Sequence, residues 1–139
     1  MSSYIEFFLV DKDTDKFHRI ASYSRSHIIY RILSGRIPYE MAVPFEEKDF
    51  RLAIDTLKEE LAYEKKQRKN LKADLKTNIQ MTSSEACDFF SEKRMELEDA
   101  KQEIECIKAA LHDINFIIDI MELGNVIYYG IDVELPGES

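Results

Sequence analysis

The most regular feature of the sequence is a pair of long segments in which apolar residues recur at alternating intervals of four and three. In residues 86–121 this spacing selects eleven positions, of which ten are apolar. In residues 50–78 it selects nine positions, of which six are apolar. A 4-3 spacing places side chains along one stripe of a helix, so the sequence predicts two long helices that pair as a coiled coil.

Local patterns mark the ends of both helices. Pro44 precedes an acidic turn and suits the start of the first helix, and residues 82–85 (TSSE) have the form of a capping box. Gly124 fits the position that follows the end of the second helix. We therefore expect helices over about 45–77 and 83–123, and the short connection between them predicts an antiparallel hairpin.

The two ends of the chain carry a strand pattern. Residues 4–10 and 17–23 are rich in aromatic and β-branched residues and flank a polar turn, which is typical of a β-hairpin. Residues 126–135 predict a third strand. Its alternation places five apolar residues on one face: Ile127, Tyr129, Ile131, Val133 and Leu135.

Together these elements predict a single α+β domain over residues 1–139. Residues 45–123 form a long antiparallel two-helix coiled-coil hairpin in this prediction. Residues 1–44 and 124–139 form a small antiparallel β-sheet base from both chain termini, with one short helix over 26–35. Because the open ends of the hairpin meet at one place, the strands from the two termini are expected to assemble there.

The base offers more apolar surface than one copy of the fold is expected to bury. Both faces of the predicted strand pair are apolar: Ile5, Phe7, Leu9 and Ile20 on one, and Tyr4, Phe8, Val10, Phe17 and Tyr23 on the other. On the second helix, the 4-3 stripe leaves Phe116, Ile117 and Ile120 for another layer. The short helix and the sheet cover part of this surface in the prediction, and we expect a homodimer to cover the rest.

Composition narrows the class of protein. With 45% hydrophobic and 33% charged residues, the chain is expected to be globular, and no apolar run reaches the roughly 20 residues of a membrane span. It has no recognisable signal peptide and only two cysteines, which predicts a reduced, cytoplasmic protein. The net charge of −8 argues against nucleic-acid binding.

Charge is unevenly distributed, because residues 83–123 hold eleven acidic and only four basic residues. Six basic residues crowd the distal half of the first helix: Lys65, Lys66, Arg68, Lys69, Lys72 and Lys76. Folding the hairpin about residue 80 would bring them beside Glu85, Asp88, Glu92 and Glu96. We expect this intrachain counter-charge, rather than a nucleic-acid ligand, to account for the basic residues.

The stretch DKDTD resembles the opening of a calcium loop, because Asp11, Asp13 and Asp15 alternate. Lys16 stands where such a loop needs glycine, and Ser22 stands where a glutamate should complete the site. We therefore expect a polar turn that joins two strands, and no metal site.

No other motif predicts catalysis or a cofactor site. The three histidines lack the spacing of metal ligands, and the four glycines form no phosphate-binding loop. Cys87 and Cys106 lie too far apart on one helix to form a disulfide. An enzyme would need a pocket formed by sequence-distant residues of the base, for which the candidates are His18, His27, Tyr128 and Asp132.

Two sets of residues are candidates for a functional role. Glu64, Arg68 and Lys93 interrupt the apolar stripes and are expected to share one layer that fixes helix register, or simply to extend into solvent. Near the hairpin tip, Phe90 is assigned to the stripe, and the candidates for partner contact are Ile79, Met81 and Phe89.

The expected function is that of a non-enzymatic protein-protein interaction or scaffolding protein, with a base that dimerises and a projecting coiled-coil arm that contacts a partner. The alternative is a small acidic regulator or inhibitor that binds a basic surface of a nucleic-acid-processing protein. The acidity of residues 83–123 supports this alternative, and the basic half of the first helix weakens it.

Overall fold

The computed structural model describes residues 3–76 and 83–134. They fall into two compact units. Unit 1 comprises Met1–Thr56 and Ala110–Ser139, and unit 2 comprises Leu57–Ala109. Each long helix therefore contributes residues to both units.

The secondary structure confirms the predicted α+β class, with an antiparallel sheet built from both termini, two long helices that pack together and one short helix. A 3-10 helix, Ser34–Arg36, follows the short helix. The elements in chain order are β1 (Tyr4–Val10), β2 (Phe17–Ser24), α1 (Ile28–Leu33), β3 (Val43–Pro44), α2 (Glu47–Lys76), α3 (Ser83–Glu122) and β4 (Val126–Ile131). Among the described residues, no helix has the length and apolar character needed to cross a membrane.

The sheet in unit 1 has the strand order β2-β1-β4-β3, so the first and last strands of the chain are neighbours. The two-residue strand β3 is absent from the sequence prediction. Pro44 belongs to it and pairs with Tyr128, and helix α2 starts three residues later, at Glu47. A short edge strand tolerates proline because it needs few backbone donors, which explains why Pro44 does not mark the start of the helix.

A β-bulge changes which side chains of β2 share a face. Phe7 pairs with Ala21 and Phe8 pairs with Arg19, so Ile20 is an extra residue in β2. An inserted residue reverses the alternation beyond it. Tyr23 consequently lies opposite Ile5 and contacts the Phe7 ring at 6.0 Å, so its predicted place on the Phe8 face is wrong.

An aromatic cluster forms the centre of unit 1. Phe7, Phe45 and Tyr129 are fully buried, and their ring centroids lie 5.1–5.7 Å apart. The last turns of α3 bury Ile117 as well, whereas Phe116 remains 60% exposed. Ile117 lines a cavity together with residues of β2 and so belongs to the core of this unit.

In unit 2, helices α2 and α3 run antiparallel, because Asp74 lies beside Lys93 while Glu64 lies near Glu103. Their apolar stripes are buried or half-buried in unit 2, except at Phe90. The most buried residues of this unit are Leu57, Ala100, Ile104 and Ile107.

Helix α2 begins two residues after its predicted start, and helix α3 ends one residue before its predicted end. Gly124 has φ +96° and its N–H donates to the Met121 carbonyl, as expected for a glycine that terminates a helix. Helix α3 begins at Ser83, while its predicted cap Thr82 lies outside the described residues.

Candidate functional site

The aspartate-rich segment between β1 and β2 forms the polar turn that the sequence predicts. The Asp13 N–H donates to Asp11 Oδ1 at 2.9 Å, and this bond holds the pKa of the Asp11 carboxyl below its ordinary value. The Asp15 N–H donates to the Asp11 carbonyl, and Asp15 has φ +55°. The described residues contain no cluster of three or more carboxylate, histidine or cysteine side chains that could hold a metal ion.

The residues suggested for an enzymatic pocket do not converge on one place. His18 pairs with Leu9 near one end of β1. Asp132 lies at the other end, where its Oδ1 accepts the Tyr4 N–H at 2.9 Å. Tyr4 and Leu9 are five residues apart along β1, or about 17 Å, which is too far for both side chains to act on one small substrate atom.

A different cluster lies between β2 and the end of α3. The Tyr23 hydroxyl donates to Asp113 Oδ2 at 2.9 Å, and both residues line an open cavity of about 290 Å³. The His27 ring lies 4.6 Å from the Tyr23 ring. Burial, followed by the hydrogen bond to Asp113, raises the pKa of Tyr23, which keeps the phenol protonated.

His27 is the N-terminal cap of α1, because its Nδ1 accepts the Ile29 N–H at 3.1 Å. Burial lowers the pKa of His27, although the nearby Asp113 carboxylate opposes this effect. Protonation of Nδ1 would break the cap. The Tyr23, His27 and Asp113 side chains therefore join β2, α1 and α3, and each makes a hydrogen bond within the fold.

A second buried cluster fixes the start of α2 against the sheet. Asp49 is only 4% exposed and accepts hydrogen bonds from Arg36 Nε at 3.1 Å and from the Glu46 N–H at 3.0 Å. Burial and the Asp49 carboxylate raise the pKa of the Tyr129 phenol. A carboxylate with these partners is satisfied within the protein, so the adjoining cavity of about 400 Å³ presents no unused charge from Asp49.

The three charged seam residues do not share one layer. Lys93 Nζ lies 3.9 Å from Asp74 Oδ2 and 3.6 Å from Glu96 Oε2, whereas Glu64 lies near Glu103. The facing pairs 64–103 and 74–93 both have their midpoint between residues 83 and 84. The prediction placed this midpoint at residue 80, and the difference of about one helical turn moves Lys93 away from Glu64 and Arg68.

Glu64 and Arg68 remain poorly compensated inside unit 2. Burial raises the pKa of Glu64, and the nearby carboxylates of Glu103 and Glu60 raise it further. One turn later, Arg68 Nε is buried and has no hydrogen-bond partner. We therefore expect both positions to stabilise the helix pair less than apolar residues would.

The candidates for partner contact are only partly described. Ile79 and Met81 lie outside the described residues. Phe89 is half-buried, and its ring contacts that of Phe90 edge-on at a centroid distance of 5.3 Å. Phe90 is 40% exposed although its spacing assigned it to the apolar stripe.

Four lysines form a stripe along one flank of α2. At 100° per residue they fall within a sector of about 60°. All four are exposed, and none lies within 4.0 Å of a carboxylate in the described part of the chain, so their predicted pairing with acidic residues of α3 is wrong. We define the lysine stripe as Lys65, Lys69, Lys72 and Lys76.

A matching row of carboxylates follows one flank of α3. All four side chains are exposed. We define the acidic stripe as Glu92, Glu96, Asp99 and Glu103.

The two stripes lie on opposite sides of the helix pair. Lys93 Nζ contacts both Asp74 and Glu96, so the Asp74 flank of α2 and the acidic stripe share one side. Asp74 is two residues from both Lys72 and Lys76, which places it about 160° around the helix from them. The lysine stripe therefore lies on the far side, and this is why the expected intrachain pairs do not form.

Sequence reasoning missed the structural roles of Tyr23, Asp49 and Asp113, because spacing along the chain does not reveal which distant elements a polar side chain meets. The charged residues of the lysine stripe and the acidic stripe were recognised from the sequence. The prediction was wrong about the side of the helix pair on which each stripe lies. No protein-family model, curated protein or solved structure matches this chain.

Proposed function

We propose that this chain is a non-enzymatic protein-protein interaction or scaffolding protein that binds a partner through the N-terminal part of α3. The observation that carries this proposal is the exposure of Phe90 beside Phe89 at a position where the 4-3 spacing calls for burial. Adjacent aromatic side chains with a cation nearby are typical of the centre of a binding interface, and Lys93 Nζ lies 5.8 Å from the Phe89 ring.

A capture experiment tests this proposal. The tagged chain is used to recover proteins from cells, and Phe89→Asp and Phe90→Asp are expected to lose the specific partner. Met95→Asp is the matched control, because Met95 is 70% exposed on the same helix but points away from the aromatic pair. Retention of every partner by both aspartate variants would contradict the proposal.

A homodimer formed through unit 1 belongs to the same proposal. Phe116 is 60% exposed and Leu123 is 82% exposed near the end of α3. Phe116 lies in the last turns of α3, and Leu123 directly follows the helix. A cytoplasmic location is also proposed, with support from Cys87 and Cys106, which are both free and exposed.

The acidic stripe supports a second candidate function, that of a regulator or inhibitor of a nucleic-acid-processing protein. Four exposed carboxylates in a row form a surface that complements a basic groove. In the same capture experiment this function predicts nucleic-acid-binding partners that are released by salt. It also predicts that they persist in Phe89→Asp and disappear when the acidic stripe is changed to glutamine and asparagine.

A further inference from the structure

The lysine stripe and the acidic stripe have the same spacing. The lysines occur at intervals of four, three and four residues, and so do the carboxylates. Each stripe spans eleven helical steps, or about 16 Å along its helix axis. All eight side chains are exposed, and they lie on opposite sides of unit 2.

We propose that the lysine stripe of one copy of this chain binds the acidic stripe of a second copy. This inference rests on the proposed scaffolding function and names its partner as another copy of the same chain. Charge and spacing identify the binding partner of each stripe. The complement of the lysine stripe is the acidic stripe of the same protein, and because the two lie on opposite sides, each can bind only the stripe of another copy. Helices aligned side by side bring charges of equal spacing into register along the whole contact.

The register does not depend on helix direction. The spacing 4-3-4 reads the same from either end, so the four lysines face the four carboxylates whether α2 of one copy runs parallel or antiparallel to α3 of the other. Each lysine also has a long flexible side chain, which tolerates small errors in alignment.

The arrangement of the stripes determines the kind of assembly. A two-fold dimer brings the same surface of each copy together, and here that would place lysine against lysine. Binding through two different surfaces on opposite sides is heterologous, and it leaves one free stripe at each end of the assembly. Further copies can therefore add at both ends, which gives open chains of varying length.

Such an assembly is expected to depend on the ionic strength of the solution. Exposed charge pairs are screened when the Debye length falls, and that length is about 20 Å at an ionic strength of 0.02 M but about 4 Å at 0.5 M. The association is therefore expected to weaken by tenfold or more between these conditions.

Sedimentation velocity of the purified full chain tests the inference. The wild type is expected to show species larger than a dimer that grow with protein concentration at low salt and disappear at high salt. Reversing the lysine stripe to glutamate should abolish these species, and so should reversing the acidic stripe to lysine. An equimolar mixture of the two reversed variants should restore them, because each variant then carries the complement of the other.

The matched control reverses four exposed lysines outside the stripe, which changes the net charge by the same amount: Lys12→Glu, Lys16→Glu, Lys48→Glu and Lys66→Glu. This variant is expected to assemble like the wild type. If a reversed variant loses helical content by circular dichroism, neutral glutamine or asparagine replacements of the same stripe are used with the same expected loss.

Three results would overturn the inference. The first is a molar mass that does not depend on salt, and the second is failure of the mixed variants to associate. The third is binding of a labelled single-stranded oligonucleotide to the lysine stripe without any salt-dependent assembly, which would assign the stripe to a polyanion. None of these results affects the capture experiment with Phe89→Asp, so the failure of this inference and the failure of the proposed function are distinguishable.

Discussion

At the scale of single residues, Gly130 shows what spacing along a strand does not reveal. Asp132 has φ +52°, so β4 ends at Ile131 and the chain turns back. Val133 then packs where a side chain on Gly130 would lie, and the Met41 backbone carbonyl occupies the same space. The sequence predicted a strand continuing through residue 135, with Val133 on the Ile131 face, because alternation alone contains no information about this turn.

Gly130→Ala is expected to destabilise unit 1. A Cβ at this position would lie 2.5 Å from Val133 Cγ2 and against the Met41 carbonyl oxygen, and the backbone cannot move aside as a flexible side chain could. Overpacking of this kind costs about 2 kcal/mol of unfolding free energy. Urea unfolding followed by circular dichroism measures the loss.

Gly35→Ala is the matched control for this change, because a Cβ there meets no atom within 4 Å. It is expected to leave the urea midpoint nearly unchanged. Equal midpoints for the two alanine variants would show that the space beside Gly130 is not restricted.

At the scale of elements, hydrophobic spacing predicted both long helices well and their register less well. The apolar stripes give a strong sequence signal because apolar positions recur at every turn of α2 and α3. A departure at a single position therefore does not change the prediction of a helix. Register depends instead on how the chain reverses between the helices, and the placement of Glu64, Arg68 and Lys93 changed when that midpoint moved by about one turn. The β-bulge at Ile20 is a similar case, since one extra residue reassigned Tyr23 to the other face.

Glu64→Gln is expected to stabilise the helix pair near neutral pH. The pKa of Glu64 is raised first by burial and then by Glu103 and Glu60, so the folded state holds the proton more tightly than the unfolded state does. The penalty is therefore complete above the folded pKa and absent below the unfolded value of about 4.3. Relief of like-charge contacts contributes roughly 0.2–0.5 kcal/mol.

Urea unfolding of Glu64→Gln and the wild type across the acid range measures this effect. The difference in unfolding free energy should shrink as pH falls and vanish below about pH 4. Glu59→Gln, at an exposed position of the same helix, is the matched control and should change stability little at any pH. A gain from Glu64→Gln that persists at low pH would show that charge is not its cause.

At the scale of the whole molecule, unit 1 and unit 2 expose surfaces of different chemistry. Unit 1 exposes apolar side chains near the end of α3, and unit 2 exposes two charged stripes of opposite sign. Composition and spacing identified the apolar surface and the charged surfaces. Only the structure shows that Ile117 is buried in the core whereas Phe116 is exposed. Apolar contacts persist in high salt whereas exposed charge pairs do not, so salt distinguishes association through the two surfaces.

The proposed homodimer is therefore expected to survive at an ionic strength of about 0.5 M, where Debye screening has removed the stripe-to-stripe contacts. Light scattering should give the molar mass of two chains under this condition for the wild type. Phe116→Glu should reduce it to that of one chain, because a buried unpaired carboxylate opposes the apolar contact. Met41→Glu, at another exposed apolar position of unit 1, should remain dimeric. The Phe116 side chain is already 60% exposed, so a change there is not expected to unfold the chain. A monomeric wild type, or a dimeric Phe116→Glu variant, would exclude a dimer through this surface.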